Sequence, residues 1–65
     1  MNLTVGKKYK ISLSIGGKIL TYSCTIESID DTFICFVDKF GDKYNYNKNL
    51  IISFDEIETE DVYGY

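Results

Sequence analysis

Between Lys7 and Ile15 the chain alternates: Tyr9, Ile11, Leu13 and Ile15 are apolar, while Lys8, Lys10, Ser12 and Ser14 between them are polar. A period of two predicts a strand with one face on a core and the other in water. Gly16-Gly17 follows, and glycine at both central positions supplies the positive φ angles that a two-residue hairpin demands. The predicted register sets Ile15 against Lys18, Leu13 against Leu20, Ile11 against Tyr22 and Tyr9 against Cys24. Ahead of this strand, Met1 to Gly6 is a lead-in in which Leu3 and Val5 are expected to cap one end of the core.

The stretch Thr21 to Asn47 reads as three antiparallel strands joined by tight turns at Asp30-Asp31 and Gly41-Asp42. If both turns have two residues, Cys24 faces Val37, Ile26 faces Cys35 and Ser28 faces Phe33; Val37 then faces Tyr46, and Lys39 faces Tyr44. One sheet face collects Tyr9, Ile11, Leu13, Leu20, Tyr22, Cys24, Ile26, Phe33, Cys35, Val37, Tyr44 and Tyr46. A slip of one residue would turn a strand's apolar set to water, so the register is a sharp expectation. Ile19, Ile34 and Phe36 interrupt the opposite, polar face. Ile34 and Phe36, flanked by Thr25 and Asn47, are expected to form a small exposed patch of apolar and amide groups.

Lys48-Asn49-Leu50 is too short and polar for a helix and predicts a single 3₁₀ turn. Ile51 to Ile57 then reads as a closing fifth strand. The expected fold is all-β: a five-stranded, strongly bent antiparallel small barrel of the SH3-like or Sm-like kind over residues 1–57, followed by a short acidic tail at 58–65. Ten Tyr and Phe residues in a chain of 65 without Trp or Pro agree with a half-buried pleated surface. A chain of this length has room for one domain and buries only about 60% of its unfolded surface, which leaves little depth for a catalytic cleft.

Charge divides the chain. Residues 1–54 carry all seven lysines against five acids, whereas residues 55–65 carry Asp55, Glu56, Glu58, Glu60 and Asp61 and no base. The acidity is therefore a property of the tail, with Tyr63 and Tyr65 as its aromatic tips. No apolar run is long enough to span a membrane and no basic leader with an apolar core opens the chain, so a cytoplasmic location is expected. In that compartment Cys24 and Cys35 are expected as free thiols, and with no histidine a four-ligand metal site is not expected. No cofactor is implied. Asp30-Asp31 is a carboxylate pair, but adjacent acids at a hairpin tip are turn formers rather than an acid and base held across a substrate, so no enzyme is expected.

The segment Ile26-Glu27-Ser28-Ile29-Asp30-Asp31-Thr32-Phe33, set in five strands with a long second one, resembles the first motif of Sm-like proteins over about residues 7–57. The resemblance implies rings formed through edge strands and binding of uridine- or adenine-rich RNA. At the positions where that family stacks and reads a base, this chain carries Thr32 and Ile34, and the family's arginine-glycine pair falls at Asn47-Lys48. The RNA pocket is thus not reproduced in its residues.

Two functions follow as expectations. The first is a non-catalytic module that binds a protein partner, for instance as a small inhibitor or regulator, through Ile34, Phe36, Asn45, Asn47, Phe40, Tyr63 and Tyr65 or through an exposed edge strand. The alternative is a binder of RNA or single-stranded nucleic acid in which Lys7, Lys8, Lys10, Lys39, Lys43 and Lys48 line one side and Tyr44, Tyr46 or Phe40 offer stacking faces. Edge strands also make a homo-oligomer an expectation to test.

Overall fold

The computed structural model describes residues 3–57. Five strands form one antiparallel sheet: β1 (Lys8–Ile15), β2 (Lys18–Ile29), β3 (Phe33–Asp38), β4 (Lys43–Asn47) and β5 (Ile51–Glu56), with a 3₁₀ turn at Lys48–Leu50. Their order across the sheet is β4-β3-β2-β1-β5, so the last strand returns to lie beside the first. β4 and β5 are the two free edges and the sheet is not closed between them.

The first hairpin forms as its glycines require. Gly16 and Gly17 sit at φ 57° and 84°, and the register from Ile15↔Lys18 to Tyr9↔Cys24 is the expected one. On the outward side of this ladder the hydroxyls of Ser12 and Thr21 meet at 3.0 Å.

The β2–β3 pairing differs from expectation by two residues next to the turn and by one residue beyond Glu27. Ile29 pairs with Ile34 and Ser28 with Cys35, but Ile26 pairs with Phe36, and the ladder shifts at Glu27. Two local causes combine. Asp30 closes the turn instead of forming its tip: its N–H bonds to the Phe33 carbonyl at 3.0 Å and its carboxylate accepts the backbone N–H groups of Thr32 (2.8 Å) and Phe33 (2.6 Å), which moves the turn to Asp31-Thr32. Glu27 is then the extra residue of a bulge, across from which the Ile26 backbone bonds to Gly6 and Lys7 of the N-terminal segment.

The β3–β4 turn contains three residues, Lys39, Phe40 and Gly41. Asp38 and Asp42 close it through an N–H···O=C bond of 2.9 Å, and Gly41 at φ 89° takes the left-handed position of a three-residue loop. Phe36 therefore faces Tyr44 and Ile34 faces Tyr46, in place of the expected pairs Val37–Tyr46 and Lys39–Tyr44.

The inward orientations predicted for β1 and β4 survive, whereas β3 is inverted. The core is Tyr9, Ile11, Leu13, Cys24, Ile26, Ile34 and Phe36. Ile34 and Phe36 are both 0% exposed; they are core residues and not the surface patch expected of them. Phe33, expected inside, is 46% exposed. Leu3, Ile15, Tyr22, Ile29, Tyr44, Tyr46, Leu50, Ile51 and Phe54 pack around this core. Leu3 thus caps it as expected, while Val5 points to solvent at 55% exposure. No helix among the described residues is long and apolar enough to cross a membrane.

Candidate partner-binding surface

With Ile34 and Phe36 turned inward, the same strand presents Phe33, Cys35 and Val37 to the outside. Their cross-strand neighbours on the free edge strand are Asn47, Asn45 and Lys43. The apolar and amide surface anticipated on β3 thus exists, built from the residues of opposite parity. Asn45 is exposed. Asn47 is half-buried and its side-chain oxygen is engaged, accepting the N–H of Asn49 at 2.8 Å to cap the 3₁₀ turn. Phe40 stands at the tip of the β3–β4 loop, 78% exposed, with the Lys39 ammonium 5.4 Å from its ring centre. Tyr63 and Tyr65 lie outside the described residues, as does the acidic tail.

On the other side of the sheet, four aromatic rings close over the core at its β4 end. Tyr22, Tyr44 and Tyr46 surround Phe36 at centroid separations of 5.3, 5.6 and 6.0 Å. Tyr44 and Tyr46 are stacked, with only 8° between their planes. The polar tips are tied: the Tyr22 and Tyr46 hydroxyls are 2.8 Å apart, and Tyr44 donates to Asp38 at 3.1 Å. The hydrogen bond to Tyr46 and then burial push the Tyr22 phenol up to about 12. These rings form a wall of the core, with Tyr44 and Tyr46 half-buried in it.

Asp38 organises the loop that carries Phe40. Partial burial works against its charge, but the N–H groups of Asp42 and Phe40 and the Tyr44 hydroxyl outweigh that effect and hold the carboxyl below the ordinary carboxylate range. Asp30 is held low as well, first by the Phe33 N–H and then by that of Thr32. Both acids are occupied in shaping turns. Cys24, facing the core with its thiol toward the Tyr9 carbonyl at 3.6 Å, is pushed up to about 11 by burial and then by the charge of Asp38. Both cysteines are free.

The lysines do not converge on one side. Lys7 pairs with Glu56 at 3.3 Å, and Lys43 pairs with Glu27 at 3.6 Å. Lys8 and Lys10 stand on β1, with Lys10 in register with Asp55 across the β1–β5 ladder. Lys48 opens the 3₁₀ turn at the far end of β4, its backbone N–H bonded to the Thr32 carbonyl. Lys8 and Lys39 come together at a shallow cavity of about 110 Å³ that they share with Asp38 and with Ser23, Cys24, Thr25, Val37 and Ile57.

Phe33, Cys35 and Val37 escaped the sequence reading because residues 33–37 are apolar at every position, so strand parity leaves no mark there. The legible hint is Asp30, whose preference for accepting N–H groups two and three residues ahead places the turn at Asp31-Thr32. No family model, curated protein or solved structure matches this chain.

Proposed function

We propose that this chain is a small-barrel binding module that acts through protein–protein contacts and regulates or inhibits a larger partner. The observation that carries the reading is the juxtaposition of an outward apolar strip, Phe33, Cys35 and Val37, with the free edge strand β4. An extended segment of a partner laid beside β4 gains main-chain hydrogen bonds from the edge, and its side chains reach the strip through the gaps beside Asn45. Phe40, raised on a loop held by Asp38, adds a large ring at the rim of the same surface. Aromatic anchors set in a polar surround are the usual carriers of binding energy. The reading includes a cytoplasmic location and no catalytic step.

A second reading retains the Sm-like resemblance: an oligomeric binder of RNA. The strand order supports it, since β5 returns to β1 and leaves β4 and β5 as complementary edges, and Lys8, Lys10 and Lys43 share the outward face. The pairing of Lys7 and Lys43 with acids and the packing of the tyrosine rings against the core favour the first reading.

Light scattering after size exclusion, at low and high salt and with nucleic-acid absorbance followed across the peak, separates the two. A species free of nucleic acid, whose partner is lost on Phe33→Ser with Val37→Ser in a folded protein, supports the protein-binding module. A ring-sized assembly shedding nucleic acid as salt rises overturns it, because phosphate contacts weaken steeply with salt and apolar contacts do not.

A further inference from the structure

The backbone bonding of β4 can be read from both of its ends. Asp38 donates to the Asp42 carbonyl at 2.9 Å, and Lys48 donates to the Thr32 carbonyl at 2.9 Å. Between those two bonds the β3–β4 register runs without a shift, from Val37↔Lys43 to Phe33↔Asn47. Bonded and non-bonded pairs alternate along an antiparallel ladder, so Tyr44 and Tyr46 direct their main-chain groups to β3. Lys43 and Asn45 therefore turn their N–H and C=O groups, and Asn47 its N–H, to the open side of the sheet.

The two edges of the sheet are not alike. β5 carries the devices that discourage strand addition: a bulge at Ile52, between the Ser12↔Ser53 and Leu13↔Ile51 pairs, and the acids Asp55 and Glu56 at its end. β4 is regular and has no proline, and its one charged side chain, Lys43, is held by Glu27 at 3.6 Å. We propose that β4 pairs antiparallel with β4 of a second copy about a two-fold axis at Asn45, joining the two sheets into one. Open residues can bond only to open residues, and the register centred on Asn45 is the one that brings Lys43, Asn45 and Asn47 all into bonded pairs. Asn45 then meets Asn45 of the second copy and Lys43 meets its Asn47, so no like charges stand opposed. On the inner face Tyr44 comes beside Tyr46 of the second copy. Their hydroxyls are already tied to Asp38 and Tyr22, so the half-buried rings gain cover without stranding a polar group.

The inference rests on the free edge used in the binding-module reading and names the strand that occupies it. The two-fold axis runs perpendicular to the joined sheet, so the strips of Phe33, Cys35 and Val37 from the two copies flank it on the same side. A partner meets a doubled apolar strip, and a partner strand that adds to β4 competes with the second copy.

Analytical ultracentrifugation of the full chain over a range of concentrations tests it, with Asn45→Asp, Asn47→Asp and Asn45→Pro as variants. The expected wild-type result is a monomer–dimer equilibrium with no larger species. The two Asp variants change the net charge equally but should act in opposite directions at low salt. Asn45→Asp sets two carboxylates against each other across the axis and should weaken the dimer about two- to fivefold. Asn47→Asp sets a carboxylate against Lys43 of the second copy and should tighten it by about the same factor, while keeping the side-chain oxygen that accepts the Asn49 N–H. Asn45→Pro removes an N–H that points away from β3, so the domain should stay folded by its amide spectrum and sediment as a monomer. A wild type that stays monomeric at millimolar concentration, an assembly larger than a dimer, or a dimer that responds alike to the two Asp variants overturns the proposal. If a partner is still lost on Phe33→Ser with Val37→Ser in that event, the binding-module reading stands without the dimer.

Discussion

The hydroxyls of Tyr22 on β2 and Tyr46 on β4 lie 2.8 Å apart, bridging the intervening strand β3 above the buried ring of Phe36. This bond joins a central strand to a free edge, and it has a titration signature. The Tyr22 phenol is pushed up to about 12 from an ordinary 10, first by Tyr46 and then by burial. The folded state therefore holds a proton that the unfolded chain releases. The associated stability is whole below pH 10 and is lost as pH rises toward 12. Tyrosinate absorbance should show phenol ionisation extending well above pH 10, and Tyr22→Phe should remove its latest part and flatten the alkaline fall in stability. A late step that persists in Tyr22→Phe would assign it to another residue.

The inverted parity of β3 makes opposite predictions for neighbouring phenylalanines. Phe36 is fully enclosed by the tyrosine rings, so Phe36→Ala should cost about 3–5 kcal/mol through lost burial and an unfilled cavity. A domain of this size has roughly 3–10 kcal/mol in total, so Phe36→Asp should not fold. Phe33→Ser, on the outward side, should stay within about 1 kcal/mol of wild type. Urea unfolding of the three variants decides it, and the reverse order would restore the register with two-residue turns.

That contrast also marks where the sequence is legible. In β1 the alternation is strict and Gly16-Gly17 admits one turn length, so the register of the first hairpin follows directly from the residues, although Leu20, expected on the core face, is 37% exposed. In β3 the run Phe33-Ile34-Cys35-Phe36-Val37 is equally apolar at both parities, and only the pairing can fix it. The turns are placed by side chains acting as backbone acceptors, Asp30 and Asp38, and the parity is inverted by a bulge at Glu27 that is stabilised from a distant segment, Gly6 and Lys7. A solvent-facing Glu in a strand carries no local sign of a bulge. Ile34 and Phe36, expected on the surface, therefore form the buried side of β3, and Phe33, Cys35 and Val37 the outward one.

Gly41 tests the three-residue loop. It sits at φ 89° with nothing within 4 Å of where a Cβ would lie. Gly41→Ala therefore meets no steric neighbour and should lose only the backbone term, about 1–2 kcal/mol for placing an L-residue in the left-handed region. Asp42→Ala, the other member of the Gly41-Asp42 pair, has a φ outside that region and should cost less. Equal losses at the two positions would mean that the left-handed residue does not set the loop.

The cysteines report the two faces of the sheet. Cys24 is buried and its thiol is pushed up to about 11, whereas Cys35 is half-exposed on the outward side of β3. A maleimide should modify Cys35 in the native protein and reach Cys24 only as fast as the domain opens, since reaction requires the thiolate and access. Mass spectrometry after limited labelling should find a single adduct on the peptide containing Cys35. Labelling of Cys24 first would invert the β2–β3 register described above.

Asp38 links the edge strand to the loop that presents Phe40. Its carboxylate accepts from Phe40 and Asp42 N–H groups at 2.9 and 3.0 Å and from the Tyr44 hydroxyl at 3.1 Å. Although partial burial opposes its charge, these donors lower its pKa below the unfolded value. The stability it contributes is thus present above the unfolded carboxylate pKa of about 4 and is lost as pH falls through the lower, folded value. Asp38→Asn keeps an oxygen for the two backbone donors but has no charge to lose, so its stability should change less with acid than that of wild type. Asp38→Ala, which lacks the acceptor altogether, should also speed amide exchange at Phe40 and Asp42, loosening the rim of the partner surface while leaving the β1–β2 hairpin protected. If Asp38→Asn and wild type fall together on acidification, the acid response belongs to Asp30, whose carboxylate is held low by the same kind of backbone donors on the preceding turn.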